Sequence, residues 1–283
     1  MNGVKTVLLL GLMSGLFLAA GQAFGGERGL VMGLGLAVAM NFFSYFFSEK
    51  IALMSSGAQP CSPSEHPHIY ARIGPMTQRL CQRMGIPMPR LWVIPEHAPN
   101  AFATGRNPSH SSVAVTVGLL ELMDDEEVEA VIGHELGHIL NRDILISSIA
   151  ATLGAAITMV ARMMFFFGGG RSSDEEEGGG GLLGGLAMMI LAPIAAMVIQ
   201  MAISRTREYG ADAAAAKYMG NARPMINALR KLEGYSKRIP MDVSPAASHM
   251  YIIKPFNGQA MMRLFSTHPA TEQRIERLMA LTR

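Results

Sequence analysis

Charge is what this sequence has little of. Asp, Glu, Lys and Arg make up 16 % of its 283 residues, where a soluble domain carries roughly 25 %. A deficit of that size requires either an unusually large dry core or contact with a second apolar solvent. Cysteine is scarce as well, at two residues, which excludes a small secreted scaffold stapled by disulfides. No charge of one sign dominates: a formal net charge of +2 offers no electrostatic footprint for nucleic acid, and none is expected as a partner. With 49 % hydrophobic residues and a mean hydropathy of +0.25, disorder is excluded too.

The apolar residues are gathered into four runs, at 7–24, 29–47, 144–167 and 182–203. Each is close to the ~20 residues that a helix needs to cross the hydrocarbon layer. One such run could be a buried core helix; four in one chain predict four transmembrane helices. Pro193 falls inside the fourth and predicts a kink there. The first run also has the layout of a signal peptide, with Lys5 ahead of it and small residues at 19–23. The second run follows closely, which favours an uncleaved anchor.

Basic residues set the orientation. The short segment between the first two runs holds only Glu27 and Arg28 as charged residues, and the third and fourth are joined by a glycine-rich acidic loop, 168–181. Most Lys and Arg lie instead in 49–143 and 205–283. These two blocks, and both termini, are therefore expected on the cytoplasmic side. Four parts result: a two-helix anchor (1–48), a first cytoplasmic part (49–143), a membrane hairpin (144–204) and a second cytoplasmic part (205–283). Cys61 and Cys81 then sit in a reducing compartment as free thiols.

The first polar block carries the chemistry. Residues 111–117 (SSVAVTV) are rich in β-branched side chains and predict a strand. Asp124, with Glu127 three residues on, is an acidic form of a capping box and predicts a helix start. Along that helix lies HELGH, residues 134–138. At about 100° per residue, His134 and His138 are only about 40° apart and project from one face. Two imidazoles one turn apart can chelate zinc, and Glu135 sits where it reaches a water beside the metal. Gly137 is expected to leave room around the ion.

A third ligand must come from elsewhere, and Glu208, in SRTREYGAD, is the best candidate. That segment also has a helical pattern. Asp212 lies one turn further on the same face, where it can accept the N–H of a ligating histidine; Arg205 is expected beside it as a second support. The plainer alternative pairs Glu208 and Asp212 with Arg205, Arg207 or Lys217 on a solvated face. His66, His68, His97 and His110 have no spacing that recommends them as ligands.

HELGH, SRTREYGAD after a membrane hairpin, NAFATG upstream and THPATEQRI near the end resemble the HtpX-type membrane-bound zinc metalloproteases, relatives of the CAAX prenyl protease. The resemblance covers nearly the whole chain. It implies a zincin-like, mainly α domain with a small β-sheet, one zinc ion held by His134, His138 and Glu208, and Glu135 as catalytic base. It implies that Asn100, Ala101, Phe102 and Ala103 border the substrate groove. It further implies quality control of damaged membrane proteins, under stress, at the bacterial inner membrane.

Spacing adds one expectation. HELGH stands only a few residues before the third run, and Glu208 only a few after the fourth. The metal is thus expected just above the bilayer, favouring protein substrates with cytoplasmic segments near the membrane. The resemblance also implies a His-Pro motif near the site, which makes His268, before Pro269, a candidate donor to the oxyanion; alternatively Ser266 or Thr267 caps a helix with Pro269 in its first turn. An extended peptide could pair along 100–105, although Asn107-Pro108 equally suggests an ordinary turn. An intramembrane protease is excluded by the charges flanking HELGH. A structural zinc site would more often fill four positions with protein ligands. A transporter is disfavoured because the runs hold almost no ionisable residue beyond Arg162.

Overall fold

The structure is a computed structural model that describes residues 2–147, 149–150, 152–154, 156–157, 159, 205–238 and 269–281. Helix α1 (Asn2–Ser55) is broken at Gly26, whose φ of 55° and ψ of −138° suit glycine alone. The break folds it into a hairpin, tied across by the Asn41 side-chain amide donating to Ser14 Oγ at 2.8 Å. Its arms, Val4–Ala23 and Gly25–Ser55, are long and apolar enough to cross a membrane. Their outward faces are apolar and uncovered by other described residues, as at Val7, Met32 and Phe42.

The polar head begins with β1 (Gln59–Pro60), α2 (Pro67–Met84) and β2 (Arg90–Ile94). It continues with β3 (Ala101–Asn107), β4 (His110–Thr116), α3 (Val117–Leu122) and α4 (Asp125–Leu140). The sheet order is β1-β2-β4-β3, with β2 parallel to β4 and β3 antiparallel to it at the far edge. The segment at 101–107 is therefore a strand, and Asn107-Pro108 opens the turn that joins it to β4. β4 stops one residue before the expected end. Thr116 Oγ1 accepts the Leu119 N–H and caps α3, so Val117 is helical.

The predicted start of α4 is present in full. Asp124 Oδ1 accepts the Glu127 N–H at 2.9 Å, and Glu127 Oε2 accepts the Asp124 N–H at 3.0 Å. Three acidic residues in its first turn also suit the helix dipole. After Leu140 an apolar helix starts at Ile144. Its Ile146, Ile149 and Leu153 pack against Leu9, Met13, Phe17 and Ala37 of the hairpin. The rest of the third run, the loop 168–181, Arg162 and the fourth run lie outside the described residues.

The second polar block supplies α5 (Arg205–Met219), α6 (Arg223–Arg238) and α7 (Thr271–Ala280). One continuous core joins the two halves of the head: Leu80 of α2, Val113 and Val115 of β4, Val131 and Leu136 of α4, Met225 and Leu229 of α6, and Leu278 of α7. The described part is thus mainly helical with one small mixed sheet. Cys61 and Cys81 are buried free thiols in or beside this core.

Candidate metal centre

Helix α4 lies directly on α5, and Gly137 permits it. A Cβ at that position would meet the Ala211 Cα at 2.9 Å and the Ala214 Cβ at 3.2 Å. The expectation that Gly137 clears space for a metal is therefore corrected. It clears space for a neighbouring helix backbone, because a glycine on a packed helix face lets the axes approach.

That approach brings the two halves of the site together. His134 Nε2 lies 3.7 Å from Glu208 Oε2, and His138 Nε2 lies 3.5 Å from Glu208 Oε1. One ligand atom from each of His134, His138 and Glu208 lies within 4.8 Å of the others. For a metal 2.0–2.1 Å from nitrogen or oxygen, tetrahedral ligand atoms stand about 3.3–3.4 Å apart. The observed spacings are close to that, and the donor set of two imidazoles and one carboxylate suits zinc, so the residues fit the implied metal.

The other ring nitrogens are held by carboxylates. His134 Nδ1 is 2.8 Å from Asp212 Oδ1, and His138 Nδ1 is 3.4 Å from Asp143 Oδ2. A carboxylate on Nδ1 fixes the ring and turns the Nε2 lone pair toward the shared niche. Asp212 therefore stands where the sequence reading expects a support. Arg205 opens α5, but its side chain lies outside the described part. His268 also lies outside the described residues. The capping alternative for its neighbours does not hold, since the N-cap of α7 is Ala270, with no side-chain cap.

Arg274 of α7 joins the site without a motif that assigns it there. It is 1 % exposed and grips Asp212 with two bonds, Nε to Oδ2 at 2.8 Å and Nη2 to Oδ1 at 2.7 Å. Its Nη1 also lies 3.8 Å from Glu208 Oε2. Burial alone would raise the Asp212 carboxyl, but Arg274, assisted by His134, holds it down at about 2. A signal for Arg274 exists in the sequence. It stands four residues before buried Leu278, on the apolar stripe of an otherwise charged helix, where an arginine needs a buried partner.

Glu135 lies in the same niche and is 5 % exposed. Burial pushes its carboxyl above the usual range, the two histidines pull it down, and Glu208 raises it again, with a net upward shift. For His138, burial opposes the charged form. The bond to Asp143 and the carboxylates of Glu208 and Glu135 outweigh it and carry the ring to about 9. The same carboxylates that favour a proton there favour a metal cation.

The strand edge completes the site. The Ala103 N–H donates to the Glu135 carboxylate, bringing the outer edge of β3 beside that group. Asn100 is buried, its N–H donating to Thr116 Oγ1 at 2.8 Å. Ala101 faces the main core, and Phe102 packs on the other side of the sheet with Leu53, Ile94 and Ala114. What this segment presents outward is mainly backbone.

Residues 67–282 match peptidase family M48. The chain is 49 % identical to a protein named Protease HtpX homolog in Desulfatibacillum aliphaticivorans, covering 98 % of this chain and 89 % of that one. It is 47 % identical to the protein of the same name in Nostoc punctiforme, covering 99 % and 96 %. In fold it is similar to the crystal structure of Ste24p from S. mikatae, with a TM-score of 0.53 at 20 % identity. That match covers 98 % of this chain and 65 % of the longer Ste24p chain. A carboxylate and two imidazoles brought together from separate halves of one head, on a chain matched along its length by HtpX homologues, lead to one statement of kinship: the chain belongs to peptidase family M48, among the HtpX-type proteases.

Proposed function

We propose that this chain is a membrane-anchored zinc endopeptidase, with His134, His138 and Glu208 as the zinc ligands and Glu135 as general base and acid. One observation carries the reading: both Nε2 atoms converge on the Glu208 carboxylate, with Glu135 in the same buried niche. When bound, the ion supplies Lewis acidity, drawing electron density from a carbonyl oxygen and acidifying water.

The chain's own residues handle the proton and the substrate. Glu135, with its raised carboxyl, takes a proton from the attacking water as that oxygen bonds to the carbonyl carbon. It returns the proton to the amide nitrogen as the C–N bond breaks and the amine leaves. The Ala103 N–H holds the carboxylate in position throughout. A substrate in extended form adds along the outer edge of β3 at Ala101, Phe102 and Ala103, next to Asn100, and so runs past Glu135. His268 is the proposed donor to the developing oxyanion. Asp212 and Arg205 are the proposed supports of the ligands.

The substrates we propose are damaged or misfolded membrane proteins with cytoplasmic segments, cleaved at the bacterial inner membrane as part of stress-linked quality control. Four spans, two in the anchor 1–48 and two in the hairpin 144–204, would leave both termini and both parts of the head cytoplasmic. The short step from Leu140 to the apolar helix at Ile144 supports a site close to the bilayer. Nearness raises the effective concentration of membrane-borne substrates over soluble ones.

The test uses the full chain in detergent. Wild type is expected to hold one zinc per chain and to cleave an unfolded protein. Glu135→Gln should keep the zinc and lose about 10²- to 10⁴-fold in rate. Undiminished cleavage by that variant overturns the mechanism.

A further inference from the structure

A cavity lined by both charged and aromatic side chains, none of them from the metal niche, lies where the long arm of α1 meets the sheet. It has a volume of about 190 Å³ and is lined by Tyr45, Phe46, Ser48, Glu49, Arg90, Arg106 and His110. That is many times the ~10–15 Å³ that one water requires. One wall holds an ion pair: Arg90 Nη2 donates to Glu49 Oε1 at 2.6 Å, and Ser112 Oγ donates to the same oxygen at 2.5 Å. Glu49 thereby neutralises Arg90.

Arg106 has no carboxylate partner among the described residues. Its guanidinium lies over the Phe46 ring, 5.3 Å from the centroid, which leaves its N–H groups free to bond to an anion. His110 stands at the exposed rim, its Nδ1 3.0 Å from Asn107 Oδ1. The cavity's formal charge is thus about one positive unit, matched to a singly charged phosphodiester. The cavity also sits beside an aromatic girdle at the end of the apolar arm. Phe42, Phe43, Tyr45, Phe46 and Phe47 are all substantially exposed there, as aromatic side chains are at a membrane–water interface.

We propose that this cavity binds the phosphate of an anionic phospholipid, with Arg106 as its principal ligand. The headgroup would pin the β3–β4 hairpin, which carries Arg106 and His110 on the same hairpin as the Ala103 edge, to the membrane surface. The inference rests on the reading of α1 as a membrane hairpin, which flotation of the protein with vesicles tests separately.

The test reconstitutes the full chain into nanodiscs of phosphatidylcholine with increasing phosphatidylglycerol. Trp92, the single tryptophan, reports on the site. Its Nε1–H donates to Ser112 Oγ at 2.9 Å, and Ser112 in turn bonds to Glu49, which lines the cavity. Its emission should respond to phosphatidylglycerol, and native mass spectrometry should find that lipid retained over phosphatidylcholine. Arg106→Gln should lower the preference roughly five-fold, the weight of one arginine at an anionic surface. Arg106→Lys should recover part of it, and an unchanged melting temperature in both variants shows that they are folded. Equal retention of the two lipids, or a preference that survives Arg106→Gln, overturns the proposal. Saturation by inorganic phosphate without any lipid selectivity overturns it too, by assigning the site to a soluble anion.

Discussion

Arg274 and Asp212 meet through two hydrogen bonds of 2.7 and 2.8 Å, both side chains almost wholly buried, and the same Asp212 carboxylate holds His134. Two helices from the second half of the head thus steer a histidine of the first. Replacing Arg274 with Met leaves a carboxylate buried without its cation, which costs about 3–5 kcal/mol. Thermal melting should fall accordingly. Zinc affinity, measured against a competing chelator, should drop about 10- to 100-fold, because Asp212, no longer fixed by Arg274, orients His134 less firmly. Unaltered affinity in a folded variant would show that the pair is structural only.

Glu208→Gln separates the ligand reading from the ion-pair reading. As a ligand, Glu208 contributes the only negative charge among the three converging groups, so the variant should lose most of its zinc under dialysis that leaves wild type loaded. Elemental analysis of both proteins decides it.

Gly137 should tolerate no larger residue. An alanine there inserts a methyl 2.9 Å from the Ala211 Cα, an overpacking that costs about 1–3 kcal/mol. The gain in helix propensity, about 1 kcal/mol, offsets only part of that. Since α4 carries both histidines and α5 carries Glu208, forcing the helices apart should lower zinc affinity together with stability. A loss of stability at constant affinity would mean that the strain is relieved away from the site.

Cys61 and Cys81 should be inert while the head is folded. Burial pushes both thiols up to about 11, with Glu65 adding to the effect at Cys61. At pH 8 the thiolate fraction is then roughly one in a thousand. Iodoacetamide is expected to leave both unlabelled in the native protein and to label both after denaturation, as read by mass spectrometry. Rapid native labelling of either would contradict the burial.

Much of the site is legible in local sequence, because local geometry governs it. The four-residue spacing of His134 and His138 needs only the helical repeat to put both rings on one face, and Asp124 with Glu127 needs only a neighbouring turn to cap that helix. The same repeat aligns Glu208 with Asp212. The apolar arms of α1 are equally local, since length and hydropathy define them. Other features depend on what faces them. Gly137 looks like room for a metal until Ala211 is seen against it, and Arg274 looks like one more surface charge until α7 turns it inward onto Asp212. The 101–107 segment becomes a strand because β4 is there to pair with it, despite the turn signal at Asn107-Pro108. Periodicity within a helix is written in consecutive residues, whereas the contact between α4, α5 and α7 joins residues about 60 to 140 positions apart, and only folding brings them within bonding distance.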